Sequence, residues 1–351
     1  MSRRGYLDWL RGLSVLIMIE AHTLDAWTRL DARHNSTYGW AMIVGGFAAP
    51  GFLFLAGIAL ALAAGSRLRR GKTPGEAAAL ARRRALQIFG LAFLFRFQSW
   101  AISGGDPMQA LLKVDILNVM GLAMLAGAWL WSAGRGRLDR VAWMVAATVA
   151  VAMITPVIRA TPLVSPLPDP IEWYIRPIPG RGTFTLFPWA GFLLAGAAIG
   201  LWLDGARTPD AERRVNVALA AVGLLVAAGA YAASFMPAIY RDSSFWTTSP
   251  TFFFLRVGVL ILSLPVAYAW NALWTGRSVL QEFGQASLFV YWIHVELAYG
   301  VLSGPVHKSL TLGQAFAAYA IFTIALFGAA KLKNQVVDWW NTGRLQPSGA
   351  L

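Results

Sequence analysis

The sequence contains no cysteine among its 351 residues, and only 13% of those residues are charged. The absence of cysteine excludes a small secreted module held together by disulfides. Average soluble domains carry about 25% charged residues. The low charge, together with 57% hydrophobic residues, therefore also excludes a disordered chain, a coiled coil and an ordinary soluble domain. The mean hydropathy of +0.54 agrees, and the composition predicts a polytopic membrane protein.

Apolar segments long enough to span a membrane recur along the whole chain. A span requires about 20 mostly apolar residues, and we identify ten such segments, at roughly 7–27, 42–64, 85–103, 111–132, 141–158, 186–203, 215–234, 251–272, 285–303 and 313–331. They leave no room for a soluble domain, so we predict a single all-α domain over 1–351, a polytopic transmembrane helix bundle. The first segment is polar and lacks a signal-peptide cleavage site, and we expect it to remain in the mature protein.

The basic residues predict the orientation of the chain. If the N-terminus is inside, 19 of the 30 lysines and arginines lie on that side and seven on the other. Cytoplasmic loops carry such an excess, so we predict that both termini are cytoplasmic, with a basic loop over 66–84 and a tail over 332–351. Topology and contact with membrane lipids then explain the net charge of +13 without a nucleic-acid partner.

The outer loops are rich in proline and aromatic residues, notably over 159–185 and 235–250. Proline fixes φ and interrupts helices, so we expect ordered or extended caps there rather than spans. Their tryptophan and tyrosine side chains suit the membrane interface, and stacking on a sugar is the alternative interpretation.

The first span carries the densest set of ionisable residues. Arg11 and His22 are eleven residues apart, which places them on nearly the same helix face and about 16 Å apart along the axis. Asp25 follows His22 by three residues, so it can lie beside the imidazole and orient it. A His–Asp pair can take a proton from a hydroxyl or amine nucleophile. The alternative is a hydrogen bond between helices that has no catalytic role.

Further polar side chains are candidates for a substrate site. His34 lies just beyond the first span, where a solvated loop histidine is the alternative interpretation. Asp115 and Asn118 share one helix face, and so do Tyr291 and His294, because each pair is spaced by three residues. Polar contacts between helices are the alternative for both pairs.

Several arginines are candidates for binding an anion. Arg96 and Arg256 lie within spans, where each could hold a phosphate or pair with an acidic residue. Arg82, Arg83 and Arg84 belong to the basic segment, which could bind a nucleotide-bearing donor or simply determine topology. Four histidines without cysteine or an HExxH motif give no ligand cluster, so we expect no metal.

Several sequence strings resemble the integral-membrane acyltransferase superfamily. LRGLSVLIMIEAH, PGFLFLAGIAL, ARRRALQIFG and GQASLFVYWIH are similar to motifs of the acyltransferase-3 proteins. LDWLRGL, VDILNVMGL and FPWAGFLLAGAAIG favour the branch of heparan-alpha-glucosaminide N-acetyltransferase-like proteins. The resemblance covers most of the ten spans.

This resemblance implies roles for individual residues. His22 falls on the essential histidine of the acyltransferase-3 proteins, and Arg11 falls on its paired arginine. In the glucosaminide acetyltransferase branch, an asparagine takes the place of His22, and the catalytic histidine lies in the following outer loop, close to His34. Either histidine could therefore be the base. Arg84 matches the first arginine of an inner RxxR motif, but Gln87 replaces the second.

The resemblance implies transfer of an acetyl group from cytoplasmic acetyl-CoA to an amine or hydroxyl of a sugar at the outer face. His22 or His34 would deprotonate the acceptor, and Asp25 would orient the imidazole. The expected oxyanion and substrate contacts are Asp115, Asn118, Tyr291 and His294. The expected contacts to the CoA phosphates are Arg82, Arg83, Arg84 and Arg96.

Three further expectations accompany this interpretation. The protein is expected in a bacterial inner membrane, in contact with lipids. The sequence leaves the oligomeric state open, and a homodimer is one alternative. A secondary transporter of a glycan or small anion is the alternative function, because intramembrane arginine and histidine also suit a proton-coupled path. We find no paired Gly/Pro-interrupted spans that would indicate a transporter site.

Overall fold

The structure, a computed structural model of the chain, describes residues 4–103, 107–182, 184–274, 276 and 278–344. Within these ranges it contains thirteen α-helices and no β-strand. The helices are α1 (Gly5–Trp27), α2 (Ser36–Gly45), α3 (Ala48–Arg69), α4 (Pro74–Ser103), α5 (Ile116–Ala133), α6 (Arg137–Ala160), α7 (Asp169–Glu172), α8 (Leu186–Gly205), α9 (Pro209–Ala233), α10 (Pro250–Leu273), α11 (Val279–Gln285), α12 (Ser287–Tyr299) and α13 (Leu312–Arg344). The predicted all-α polytopic fold class is confirmed.

Eight helical segments in the described part of the chain are long and apolar enough to cross a membrane, with α2 and α3 counted as one. They coincide with eight of the ten predicted spans. The predicted span 7–27 corresponds to α1, which has 23 residues but several charged side chains. The predicted span 285–303 is divided, because α12 has only 13 residues. That length gives about 20 Å of helix, against about 30 Å of hydrocarbon.

The basic segment 66–84, predicted as a loop, is mainly helical, which corrects that prediction. Only residues 70–73 are outside a helix. The backbone N–H of Thr73 donates to the Glu76 carboxylate at 2.8 Å, and the backbone N–H of Glu76 donates to the Thr73 hydroxyl at 3.2 Å. This reciprocal capping starts α4 immediately after the turn. At the other end of the chain, α13 continues into the predicted tail, of which 345–351 lie outside the described residues.

The chain divides into two compact units, the first of which comprises the described residues within 1–7 and 49–275. Small side chains allow five of its helices (α3, α4, α5, α6 and α8) to pack closely. Their shared buried cluster consists of Ala61, Ala64, Ala77, Ala78, Trp131, Met144, Leu194, Ala197, Ala198 and Leu201.

Glycines bring α9 and α10 of this unit into very close contact. A Cβ on Gly223 would lie 2.8 Å from the Leu262 side chain, and one on Gly258 would lie 2.5 Å from the backbone nitrogen of Ala227. Real Cβ atoms do not approach other atoms so closely, so the absence of a side chain at both positions permits this packing. Small residues serve the same purpose at other helix interfaces within membranes.

The second unit comprises the described residues within 8–48 and 276–351. Its buried cluster joins α1, α2 and α13 through Leu24, Tyr38, Ala41 and Ala315. The Trp27 indole N–H at the end of α1 donates to the carbonyl oxygen of Ala298 in α12 at 3.0 Å. The backbone N–H of Leu310 donates to the carbonyl oxygen of Trp27 at 2.9 Å. The bond from Trp27 to Ala298 holds α1 beside α12, the two helices that carry the histidines described next.

Candidate functional site

Two histidines from distant parts of the sequence meet in the second unit. The Nδ1 atom of His22 on α1 lies 2.8 Å from the Nε2 atom of His294 on α12. The two rings are parallel, with an interplanar angle of 1° and centroids 5.1 Å apart. His294 is fully buried, whereas His22 is half-buried. The sequence patterns around the two histidines indicate each of them separately and do not predict their pairing.

The hydrogen bonds of this pair determine which nitrogen carries each proton. The Nδ1 atom of His294 lies 2.9 Å from the carbonyl oxygen of Val290. A carbonyl only accepts, so the His294 Nδ1–H donates to it, and Nε2 of the neutral His294 carries a lone pair. The Nδ1–H of His22 must then donate to that lone pair. In the neutral His22 the remaining lone pair is therefore on Nε2, the atom that can act as a base.

Asp25 engages two other side chains of the same unit. The Tyr299 hydroxyl donates to Asp25 Oδ2 at 2.9 Å, and the Arg33 guanidinium lies 3.4 Å from Oδ1. The Tyr299 ring meets the His22 ring edge-on, with centroids 5.4 Å apart. The prediction that Asp25 orients His22 directly is thus corrected, because the structure places His294 at His22 Nδ1. Tyr299 contacts both groups, because its hydroxyl bonds to Asp25 and its ring packs edge-on against His22.

Burial increases across this cluster from Asp25 and Tyr299 to His294. Asp25 and Tyr299 are exposed, His22 is half-buried and His294 is fully buried. The Tyr291 ring meets the His294 ring edge-on at 5.8 Å between centroids, as their shared helix face predicts. The exposed end of this cluster is therefore at Asp25 and Tyr299, next to the His22 ring.

Arg11 and His34 have less direct relations to the pair. The Arg11 guanidinium forms an ion pair with Asp8, one turn earlier on α1, at 2.9 Å. Arg11 and His22 are eleven residues apart on α1, which is about 16 Å along the helix axis. They share a helix face but are too far apart for a direct bond. His34 is exposed at the end of a short 3-10 helix, Leu30–His34. Of the two candidate bases, only His22 is held by a second imidazole.

In the first unit, the structure joins Arg96 to Asp115. Arg96 Nη2 donates to Asp115 Oδ2 at 2.7 Å, and Asp115 caps the N-terminus of α5. The Asn118 side chain completes a capping box by accepting from the Asp115 backbone N–H at 2.8 Å. These residues fix the start of a helix, and this favours the alternative interpretation of polar contacts over the predicted oxyanion role. Arg96 also lies about 18 Å along α4 from Arg84, which separates it from the proposed CoA-binding arginines.

Residues of the outer segment 159–185 cover the start of α5. Trp173 is buried with Val114 and Val119, and Tyr174 packs against this cluster. Burial raises the pKa of the Tyr174 phenol to about 12, although a hydrogen bond with Asn118 acts in the opposite direction. Arg159 donates to the Thr185 hydroxyl at 2.6 Å and also to the carbonyl oxygen of Thr247 in the other proline-rich segment, at 3.4 Å.

We expect the Arg96–Asp115 pair to stabilise the protein. Replacing Arg96 by methionine, or Asp115 by asparagine, should each lower the free energy of unfolding by about 3 kcal/mol, because one buried charge loses its partner. Asparagine retains the helix cap, so the Asp115→Asn effect reports the charge alone. Thermal unfolding in detergent should show the double variant less destabilised than the sum of the single variants. The exposed pair Arg29–Asp31 provides the control, and additive effects at Arg96 and Asp115 would contradict the coupling.

Three of the four arginines predicted to bind CoA, Arg82, Arg83 and Arg84, lie near the third turn of α4. The Arg82 guanidinium stacks on the Trp129 ring at 4.4 Å from its centroid. Arg83 and Arg84 are exposed, and Arg84 donates weakly to Gln87 at 3.5 Å. In the described part of the chain, no three histidine, aspartate or glutamate side chains come together as metal ligands.

Comparison with known proteins identifies a family for this chain. The family model described as heparan-alpha-glucosaminide N-acetyltransferase, catalytic, matches residues 3–235. This range contains His22, Asp25 and His34, whereas α12 with His294 lies beyond it. None of the curated proteins matches the chain.

Proposed function

Because the chain belongs to the family of heparan-alpha-glucosaminide N-acetyltransferase catalytic domains, a group of membrane acetyltransferases, we propose that it transfers an acetyl group from acetyl-CoA to a sugar. The acceptor is an amine or hydroxyl of that sugar, and His22 is the general base. The observation that carries this proposal is the hydrogen bond between His22 and His294, because it leaves the lone pair of His22 on Nε2.

The proposed reaction needs one proton to be moved twice. His22 Nε2 takes the proton from the acceptor nitrogen or oxygen as that atom bonds to the thioester carbonyl carbon. When the carbon–sulfur bond breaks, the His22 imidazolium returns the proton to the departing thiolate, which leaves as free CoA. His294 keeps the His22 ring in place throughout, and the Tyr299 ring supports its other side.

The positive charges of Arg83 and Arg84 on α4 support a role for these residues in attracting acetyl-CoA. CoA carries several phosphate charges, and exposed arginines raise the local concentration of an anionic substrate. Arg83 and Arg84 are exposed cations on one helix, and the distribution of basic residues predicts that this end faces the cytoplasm. The end of α1 that carries His22 and Asp25 would then face outward, where we place the sugar acceptor.

The experiment that tests the proposed function measures thiol release from acetyl-CoA by the purified protein, with and without a glucosamine acceptor. The chain contains no cysteine, so a thiol reagent reports free CoA alone. We expect release that depends on the acceptor. Folded protein that releases no thiol from acetyl-CoA with any sugar acceptor would contradict the proposal, and uptake of a glycan into vesicles without CoA would then indicate a transporter.

A further inference from the structure

A cavity in the first unit has no role in the site described above. It has a volume of about 280 Å³ and lies where α6 begins, α8 ends and α9 begins. Its wall contains two arginines, Arg137 and Arg214, together with Trp202. The rest of the wall consists of small or apolar residues. A cavity with two cations, an aromatic ring and no acidic side chain in its wall suits an anion that carries an apolar part.

The carboxylates near this cavity in the sequence do not neutralise its arginines. Asp204 is paired with Arg69, and Glu212 is paired with Arg4, each at 2.6 Å. Asp210, between them in the sequence, is exposed and does not line the cavity. Among the described residues, neither cavity arginine forms an ion pair. The two positive charges of the cavity are therefore not neutralised by these carboxylates.

A glycine leaves space for one of these charges. A Cβ on Gly205 would collide with the Arg137 Nη1 atom, so the guanidinium rests against bare backbone at the end of α8. The guanidinium is planar and presents parallel donors that match the oxygens of a phosphate. The absence of a side chain at Gly205 thus leaves room for a phosphate-binding group at the cavity.

We propose that this cavity binds the phosphate of an anionic phospholipid. The three helix ends that form it belong to segments long and apolar enough to cross a membrane, and the ends of such segments lie near the lipid headgroups. Exposed apolar side chains continue from it along α9, namely Val217, Leu224 and Leu225, and acyl chains would cover them. Basic pockets between transmembrane helices bind anionic headgroups in this way, and Trp202 suits the same interface.

The test measures retention of phosphatidylglycerol by the purified protein in native mass spectrometry, against phosphatidylcholine as the neutral lipid. The double variant Arg137→Gln/Arg214→Gln should bind phosphatidylglycerol about 25-fold more weakly, at about fivefold for each arginine near an anionic lipid. The matched control, Arg135→Gln/Arg213→Gln, removes the same charge from neighbouring positions that do not line the cavity, and should retain wild-type binding. Gly205→Ala keeps both charges but displaces Arg137, and should also weaken binding.

Three results would overturn the proposal. Equal retention of phosphatidylglycerol by the double variant and its control would show that general charge, and no cavity, binds the lipid. Unchanged binding in folded Gly205→Ala would contradict the placement of Arg137. Binding of inorganic phosphate or CoA that requires Arg137 and Arg214, without binding of phosphatidylglycerol, would replace the lipid by a soluble phosphate. Elution as a single species in detergent verifies that each variant is folded.

Discussion

Replacing His22 by asparagine is expected to lower acetyl transfer about a hundredfold to ten-thousandfold, the range that a positioned general base contributes. Asparagine fills similar space and can still donate to His294, so the helix contact should persist while the basic nitrogen is lost. The measurement is kcat for thiol release from acetyl-CoA with a saturating glucosamine acceptor. The KM values for both substrates should change little, because neither is proposed to bind through His22 Nε2.

The matched control for this prediction is His34→Asn. The sequence resemblance implies an asparagine at the place of His22 and a catalytic histidine near His34, so the two variants distinguish the two candidate bases directly. If His22 is the base, His34→Asn retains most of the activity. A large loss in His34→Asn together with full activity in His22→Asn would reverse the assignment and leave the His22–His294 pair as a structural contact.

Replacing His294 by leucine is expected to lower kcat about a hundredfold, the effect of misplacing a reacting group by about 1 Å. Leucine fills the buried volume but removes the acceptor for His22 Nδ1–H, and the imidazole then loses its fixed orientation. Glutamine at the same position can place an amide oxygen near the former Nε2 atom. His294→Gln should therefore recover much of the activity that His294→Leu loses.

Rescue by glutamine separates a positioning role from a purely structural one. Tyr299→Phe is the control, because it removes only the hydroxyl that donates to Asp25 and retains the ring beside His22. Its loss of kcat should be smaller than that of His294→Leu. Full activity in a folded His294→Leu protein would show that the second histidine does not orient the first.

Local regularities made part of this architecture predictable. The spacing of His22 and Asp25 along one helix, and of Tyr291 and His294 along another, follows from the helical repeat alone. Hydropathy found eight of the spans because each requires only a continuous apolar segment. The start of α5 was predicted too early, at 111, because the capping interaction of Asp115 with Asn118 ends the preceding irregular segment at a point that hydropathy does not detect.

Contacts between distant segments were not predictable in the same way. His22 and His294 are 272 residues apart, and no periodicity relates positions on two helices that the sequence separates so widely. Tyr299 was missed, although it follows Tyr291 by about two helical turns and so had a detectable signal. Arg96 was assigned to the donor because a charge in a span suggests function, but its partner on α5 is visible only in three dimensions.

The close packing of α9 on α10 bears on how this chain can diverge in evolution. Recognition of the family ends at residue 235, two residues after α9 ends, whereas the glycines that interlock α9 with α10 lie at 223 and 258, on both sides of that limit. Any lineage that exchanges the later sequence must keep a position without a side chain opposite Ala227, or else separate the two helices. The limit of the family match thus lies within one packed pair of helices, and a replacement of the sequence beyond residue 235 must preserve the shape of this contact.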